Sequence, residues 1–227
     1  MVAAVVPKEG WGVLHLFCRL TSAVDPEAVS AAVKQAQAGE VQVVSFALLG
    51  HKADLGFMVL APDLVAIRRL QAALTGSGLE LASSYFSLTE VSEYARGMPP
   101  ERLEPRLHPQ LPPEGMRAFC FYPMSKRRLG EDNWYRLGYE ARLGLMYGHG
   151  AVGRKFAGRV VQLVTGSTGL DDYEWGVTLF AVTPDDLKEC VHTMRFDEAS
   201  ARYAEFGPFY SGFVAPVEEV LQLCCTS

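Results

Sequence analysis

Tyr122, Lys126, His149 and Gln162 are the residues of this chain whose types and setting carry chemistry. Tyr122 lies in the run Phe121-Tyr122-Pro123-Met124-Ser125-Lys126-Arg127-Arg128, where a redox-capable phenol is followed by a short basic cluster suited to a local anion. His149 lies in Met146-Tyr147-Gly148-His149-Gly150. Its imidazole can ligate iron, and glycine on both sides lets a flat ligand approach the backbone closely. Helical spacing puts Arg142, Met146 and His149 on one face. Gln162, in Arg159-Val160-Val161-Gln162, is a polar group in an otherwise apolar strand. Each also has a plainer reading. A histidine near a helix end commonly caps or packs, a strand tyrosine packs with its hydroxyl at the rim, and a strand glutamine points to water.

The elements that must position these groups follow from an internal repeat. Ala53-Asp54-Leu55-Gly56-Phe57-Met58-Val59-Leu60-Ala61-Pro62 is echoed by Tyr173-Glu174-Trp175-Gly176-Val177-Thr178-Leu179-Phe180-Ala181, with Pro184 close behind. Each copy reads as a strand entering a proline-started helix, Pro62 to about Leu74 and Pro184 to about Met194. Upstream, 41–49 and 158–165 are β-rich runs, and 13–20 and 117–124 are opening strands. A helical stretch follows each opening strand, over 26–38 and from Asp132 to about His149. The expected fold class is α+β, a ferredoxin-like unit used twice, with the two sheets packed together in a dimeric α/β-barrel-type arrangement. Residues 1–93 form the first half and 115–227 the second, which carries the site. Between them, 94–114 is rich in Pro and Arg, lacks periodicity and reads as a linker.

Composition narrows the function classes. With 227 residues, 49% of them hydrophobic, the chain can bury a large core. A net charge of −5 with scattered basic residues leaves no broad footprint for nucleic acid. No run reaches membrane-spanning length and no secretory leader pattern opens the chain, so a soluble, cytoplasmic protein is expected. The five cysteines show no zinc spacing, and Cys18, Cys120 and Cys190 read as small core residues.

The ordered motifs together, from Tyr122–Lys126 through Asn133-Trp134-Tyr135, His149-Gly150, Gly153-Arg154, Gln162, Thr165-Gly166-Ser167, Asp171-Asp172 and Glu174–Phe180 to Met194-Arg195-Phe196-Asp197-Glu198, resemble the coproheme decarboxylases. These form the haem-synthesis branch of the chlorite dismutase-like superfamily. The match is dense from about Arg106 to Gly212 and thin before it. The resemblance implies that His149 is the axial ligand of the iron, that Gln162 sits over the opposite face, and that Tyr122 is the catalytic tyrosine, oxidised to a radical. It implies Lys126 beside a propionate, and Arg106, Pro123, Met124, Ser125 and Ser200 among the remaining contacts to the macrocycle. Glu198 is the candidate acceptor for the other nitrogen of His149, from its place in the motif.

The implied substrate is iron coproporphyrin III (coproheme), converted to haem b with hydrogen peroxide by oxidation of two propionates. A homopentamer, and transient contact with the coproporphyrin ferrochelatase, are implied as well. The residue chemistry agrees, because a tetracarboxylate needs cations and hydroxyl donors round an apolar slot. A neutral Gln162 suits a peroxide-using oxidase better than chlorite dismutation, where a guanidinium stabilises the leaving anion. The alternative is a haem carrier or sensor in which Tyr122 only packs.

Overall fold

The computed structural model describes residues 2–95 and 97–225. In the first half the order is β1 (Gly12–Arg19), α1 (Pro26–Gln37), β2 (Gln42–Leu48), β3 (Leu55–Ala61), α2 (Leu64–Gly76) and β4 (Glu80–Thr89). After α3 (Pro100–Leu107) the second half runs β5 (Ala118–Lys126), the two-residue strands β6 (Arg128–Leu129) and β7 (Asp132–Asn133), and α4 (Tyr139–Gly153). It continues through β8 (Val160–Gly166), β9 (Trp175–Ala181), α5 (Pro184–Met194), α6 (Glu198–Tyr203), β10 (Ala204–Phe206), β11 (Tyr210–Val214) and α7 (Val217–Cys224). Both expected helices form, but of the two only α5 is started by its proline. Thr183 and Asp186 close a capping box at α5, while at α2 Pro62 stays outside and Asp63 caps Val65 N–H at 2.9 Å.

Two stretches differ from expectation. The helix expected from Asp132 begins only at Tyr139, because Asn133 instead caps a 3₁₀ turn over Trp134–Arg136 through Tyr135 N–H at 3.1 Å. It then runs past His149 to Gly153. The stretch 94–114, expected to be aperiodic, holds part of a 3₁₀ turn and the eight-residue α3, started by Pro100.

The nine-stranded sheet has the order β10-β5-β11-β2-β3-β1-β4-β8-β9, and β5 also pairs with β9. That pairing closes a ring. Since β10 shares the β11 side of β5, further along the strand, the ring itself has eight strands. The halves therefore join edge to edge, through β2–β11 and β4–β8, and closure removes the sheet edges. Inward positions fill the barrel with aromatic rings: Phe17 on Tyr210 at 3.7 Å and Phe46 on Phe119 at 4.0 Å. Each such ring removed from water contributes roughly 1.5–3 kcal/mol.

Outward positions on the first half are covered by α1, α2 and α7. On the second half, α5 covers part of the outer face, packing on β5, β8 and β9. The antiparallel register aligns outer positions in rows: Cys120 with Leu179 and Gln162, then Tyr122 with Val177 and Val164. Among the described residues no helix is long and apolar enough to cross a membrane.

Candidate functional site

Strand alternation on β5 sends Phe119 and Phe121 into the barrel and Cys120, Tyr122, Met124 and Lys126 to the outer face. Tyr122 is 7% exposed, its ring stacked on Phe209 at 4.4 Å and edge-on to Phe206 at 5.5 Å. Its hydroxyl has no hydrogen-bond partner among the described residues. Burial, with the nearby Cys120 and Cys190 thiols, pushes its pKa up against a smaller opposing pull from Arg195, so the phenol keeps its proton.

In the neighbouring row, two strands away, Gln162 is exposed, and Val164 beside it is 42% exposed. Here α5 does not reach, and this stretch of the sheet face stays open.

His149 lies in the penultimate turn of α4, its side chain 25% exposed. Its Nδ1 is 3.1 Å from both carboxylate oxygens of Asp197 and 3.5 Å from Ser200 Oγ. A carboxylate only accepts, so Nδ1 carries a proton towards Asp197, which leaves Nε2 as the nitrogen that an iron could bind. Burial works against ionisation of Asp197, but the hydrogen bonds from His149 and Ser200 outweigh it and hold the carboxyl below its usual range. The expected acceptor was Glu198, and this is corrected by one residue. Asp197 is the N-cap of α6 and must turn its carboxylate back over the helix start, where Ser200 N–H donates to it at 3.2 Å. Glu198 points away and pairs with Arg202.

Lys126 is 7% exposed. Its Nζ donates to Ala199 O at 3.2 Å and stands 4.2 Å from the Trp134 ring centroid. Burial lowers its pKa to about 8, against the pull of Asp197 and Glu174. The ammonium is thus shared with the wall behind His149. Because its folded pKa lies below its ordinary value of 10.5, the unfolded chain holds more protons between those two values, and stability rises with pH across that window. Urea unfolding should show Lys126→Met ahead of the wild type near pH 7, with the lead shrinking by up to about 3 kcal/mol near pH 10. A lead independent of pH would mean that the ammonium carries no burial penalty.

The remaining expected contacts divide. Met124 shares the outer face with Tyr122, whereas Pro123 and Ser125 point the other way, Ser125 Oγ accepting from Glu174 N–H at 3.3 Å. Ser200 faces His149 and Asp197. Arg106 is exposed on the last turn of α3, which is tied through Leu107 O to Thr89, and it contacts none of the other site residues. Arg195 went unassigned by sequence reasoning. Its guanidinium lies 4.2 Å from the Phe206 ring, next to Tyr122, and forms no ion pair among the described residues.

A cavity of ≈ 670 Å³ lies between α4 and α6 and takes in His149. Its walls include the carboxylates of Glu140, Asp197 and Glu198, with Arg202 already paired to Glu198 and Asp132. Carboxylates on that wall repel a polyanion, which favours the open face of the sheet as the place for a carboxylate-bearing ring. The residues present fit an iron porphyrin: an imidazole oriented by Asp197, an open stretch of sheet at Val164, the exposed amide of Gln162 and the guanidinium of Arg195.

Comparison with known proteins agrees. The chlorite dismutase family model matches residues 23–215. A coproheme decarboxylase of Thermus thermophilus is 41% identical, with 90% of each chain covered, and one of Staphylococcus carnosus is 45% identical over 77% of this chain and 73% of that one. A solved haem-binding protein from Thermus thermophilus superposes with a TM-score of 0.83 at 39% identity, covering 97% of this chain and 98% of its own. A chlorite dismutase from Candidatus Nitrospira defluvii superposes with a TM-score of 0.77, covering 97% and 98%, and at 20% identity shows the fold alone. The chain therefore belongs to the chlorite dismutase family, in the branch that holds these coproheme decarboxylases.

Proposed function

We propose that this chain binds iron coproporphyrin III between α4 and the open face of β8, β9 and β5, and oxidatively removes two of its propionates to give haem b. The relatives named coproheme decarboxylase support the substrate class. One observation carries the chemistry: Tyr122 holds a largely buried, protonated phenol, with no hydrogen-bond partner among the described residues, on the same sheet face as the exposed Gln162. His149 would hold the iron, with Asp197 accepting from its Nδ1 and so orienting the ring. Gln162 would offer its exposed amide to peroxide without adding charge.

Bound coproheme supplies the iron, whose redox chemistry with hydrogen peroxide provides the oxidising equivalents. Tyr122, kept neutral by burial, gives up a hydrogen atom as a unit. The resulting phenoxyl would take a hydrogen atom from the propionate carbon next to the ring, the carbon radical would pass its second electron to the peroxide-derived oxidant, and the carboxylate would leave as carbon dioxide. Each propionate thereby becomes a vinyl group with loss of two electrons, which one peroxide accepts on becoming water.

Arg195, rather than Arg106, supplies the guanidinium beside Tyr122, while Lys126 steadies the wall through Ala199 and Trp134. Arg195→Gln should weaken coproheme binding by about ten- to a hundredfold, the worth of one charged hydrogen bond. Binding at wild-type strength would assign that propionate to another cation. A cytoplasmic homopentamer belongs to the same proposal. The apolar surface left on α4, with Tyr147 74% exposed, supports assembly between copies.

Gas evolution distinguishes the readings. The coproheme-loaded protein should release carbon dioxide with peroxide and no dioxygen with chlorite. A carrier releases neither gas, and a chlorite dismutase releases dioxygen.

A further inference from the structure

Two buried thiols lie near Tyr122, and the reaction above uses neither. Cys120 precedes Tyr122 by two residues on β5 and packs in the same outer-face cluster. Cys190 lies buried on α5, the helix that packs over this face. Both are free thiols and both contribute to the electrostatic surroundings of the Tyr122 phenol.

Only for Cys120 does the structure show a way out. Its register partner on β11 is Ser211, whose hydroxyl donates to Cys120 Sγ at 3.7 Å. Ser211 lines a second cavity, ≈ 140 Å³, between the β2–β3 turn and the start of β11. Lys52 and His51 belong to that cavity, and so does Phe209, whose ring stacks on Tyr122. Lys52 Nζ donates to Phe209 O at 2.5 Å and forms no ion pair among the described residues. Tyr122 and a surface cavity that carries the Lys52 ammonium are therefore separated by one thiol and one serine.

A phenoxyl oxidises whatever donor is in reach, and an S–H bond yields its hydrogen more readily than a C–H bond. With a propionate held against Tyr122, proximity favours the substrate. With the propionate spent or misplaced, the radical must discharge elsewhere or damage the protein. Burial raises the Cys120 thiol to about pKa 11, so it stays protonated, a hydrogen donor that peroxide attacks poorly.

We propose that Cys120 is a discharge relay for the Tyr122 radical, and that its external reductant is a small carboxylate-bearing thiol docking in the Lys52 cavity. The inference rests on the reading of Tyr122 given above. In the first step the phenoxyl takes one electron and one proton from Cys120, giving a phenol and a Cys120 thiyl. In the second, the docked thiol returns one electron and one proton across the Ser211 hydroxyl, and the two external thiyls from two such events combine as a disulfide.

The test uses the full chain loaded with haem b, which lacks the two reactive propionates, mixed with peroxide and frozen at intervals for electron paramagnetic resonance. Mercaptoacetate should speed decay of the tyrosyl signal about tenfold or more in the wild type and in Cys190→Ser, and not in Cys120→Ser. Lys52→Ala should abolish the preference for mercaptoacetate over uncharged mercaptoethanol. A nitroxide-forming spin trap added to the wild type without thiol should label Cys120, located by peptide mass spectrometry, which makes the test independent of how the variants fold. Wild-type decay in Cys120→Ser, or a trap adduct on other residues and none on Cys120, overturns the relay alone. Absence of a tyrosyl signal in the wild type, with unimpaired decarboxylation by Tyr122→Phe, overturns the reading of Tyr122 and the relay together.

Discussion

Tyr122→Phe should bind coproheme as the wild type does and lose decarboxylation by roughly a hundredfold to ten-thousandfold, the range for deleting a group that exchanges a proton in the reaction. The ring is held by Phe209 at 4.4 Å and Phe206 at 5.5 Å, and both contacts survive loss of the hydroxyl. The hydroxyl has no hydrogen-bond partner to strand, so the substitution leaves no orphaned polar group. Stability should therefore change by less than about 1 kcal/mol. Turnover and spectral titration of the same preparation separate the two effects. Retained turnover would mean that the propionate is oxidised directly at the iron.

His149→Ala should have the second largest effect. The imidazole is the one strong nitrogen ligand proposed, and its loss frees Asp197, a carboxylate then buried with only Ser200 as partner. Coproheme should still bind through its rim carboxylates, with an altered absorption spectrum and little turnover. Exogenous imidazole should restore the spectrum in part. A variant spectrum identical to the wild type would remove His149 from the iron.

Much of this was legible in the chain. The repeat located the strands because the pattern of a buried strand followed by a proline-started helix depends on local chemistry alone, as at Ala181 to Pro184. Closure of the ring was not legible, since the β5–β9, β2–β11 and β4–β8 pairings join segments far apart in sequence. The acceptor for His149 was missed by one position although its signal was present: Asp197 three residues before Ser200 is an N-cap pattern, and a cap carboxylate faces back over the helix start.

Lys126 illustrates a different limit. Alternation places it on the face of Tyr122, but only the packing of Trp134 and Ala199 decides that its ammonium is buried. Arg195 lies in one of the motifs behind the resemblance, but its place beside Tyr122 was not legible there, because its neighbour Phe206 belongs to β10, which docks on β5 by tertiary pairing. The four glycines of α4, at Gly144, Gly148, Gly150 and Gly153, each cost about 1 kcal/mol in an isolated helix. Within one chain no packing contact explains those at Gly144, Gly148 and Gly153, where an added Cβ meets nothing within 4 Å.

The central claim is that this chain converts iron coproporphyrin III to haem b, and the mass of the porphyrin tests it most directly. The purified protein is mixed with iron coproporphyrin III, peroxide is added in steps, and the extracted porphyrin is weighed by mass spectrometry. The account predicts a species lighter by one formic acid equivalent that rises and then gives way to one lighter by two, with Tyr122→Phe leaving the starting mass in place. A porphyrin whose mass does not change in the wild type, while peroxide is consumed and the iron stays bound, would contradict it and leave the chain a haem carrier.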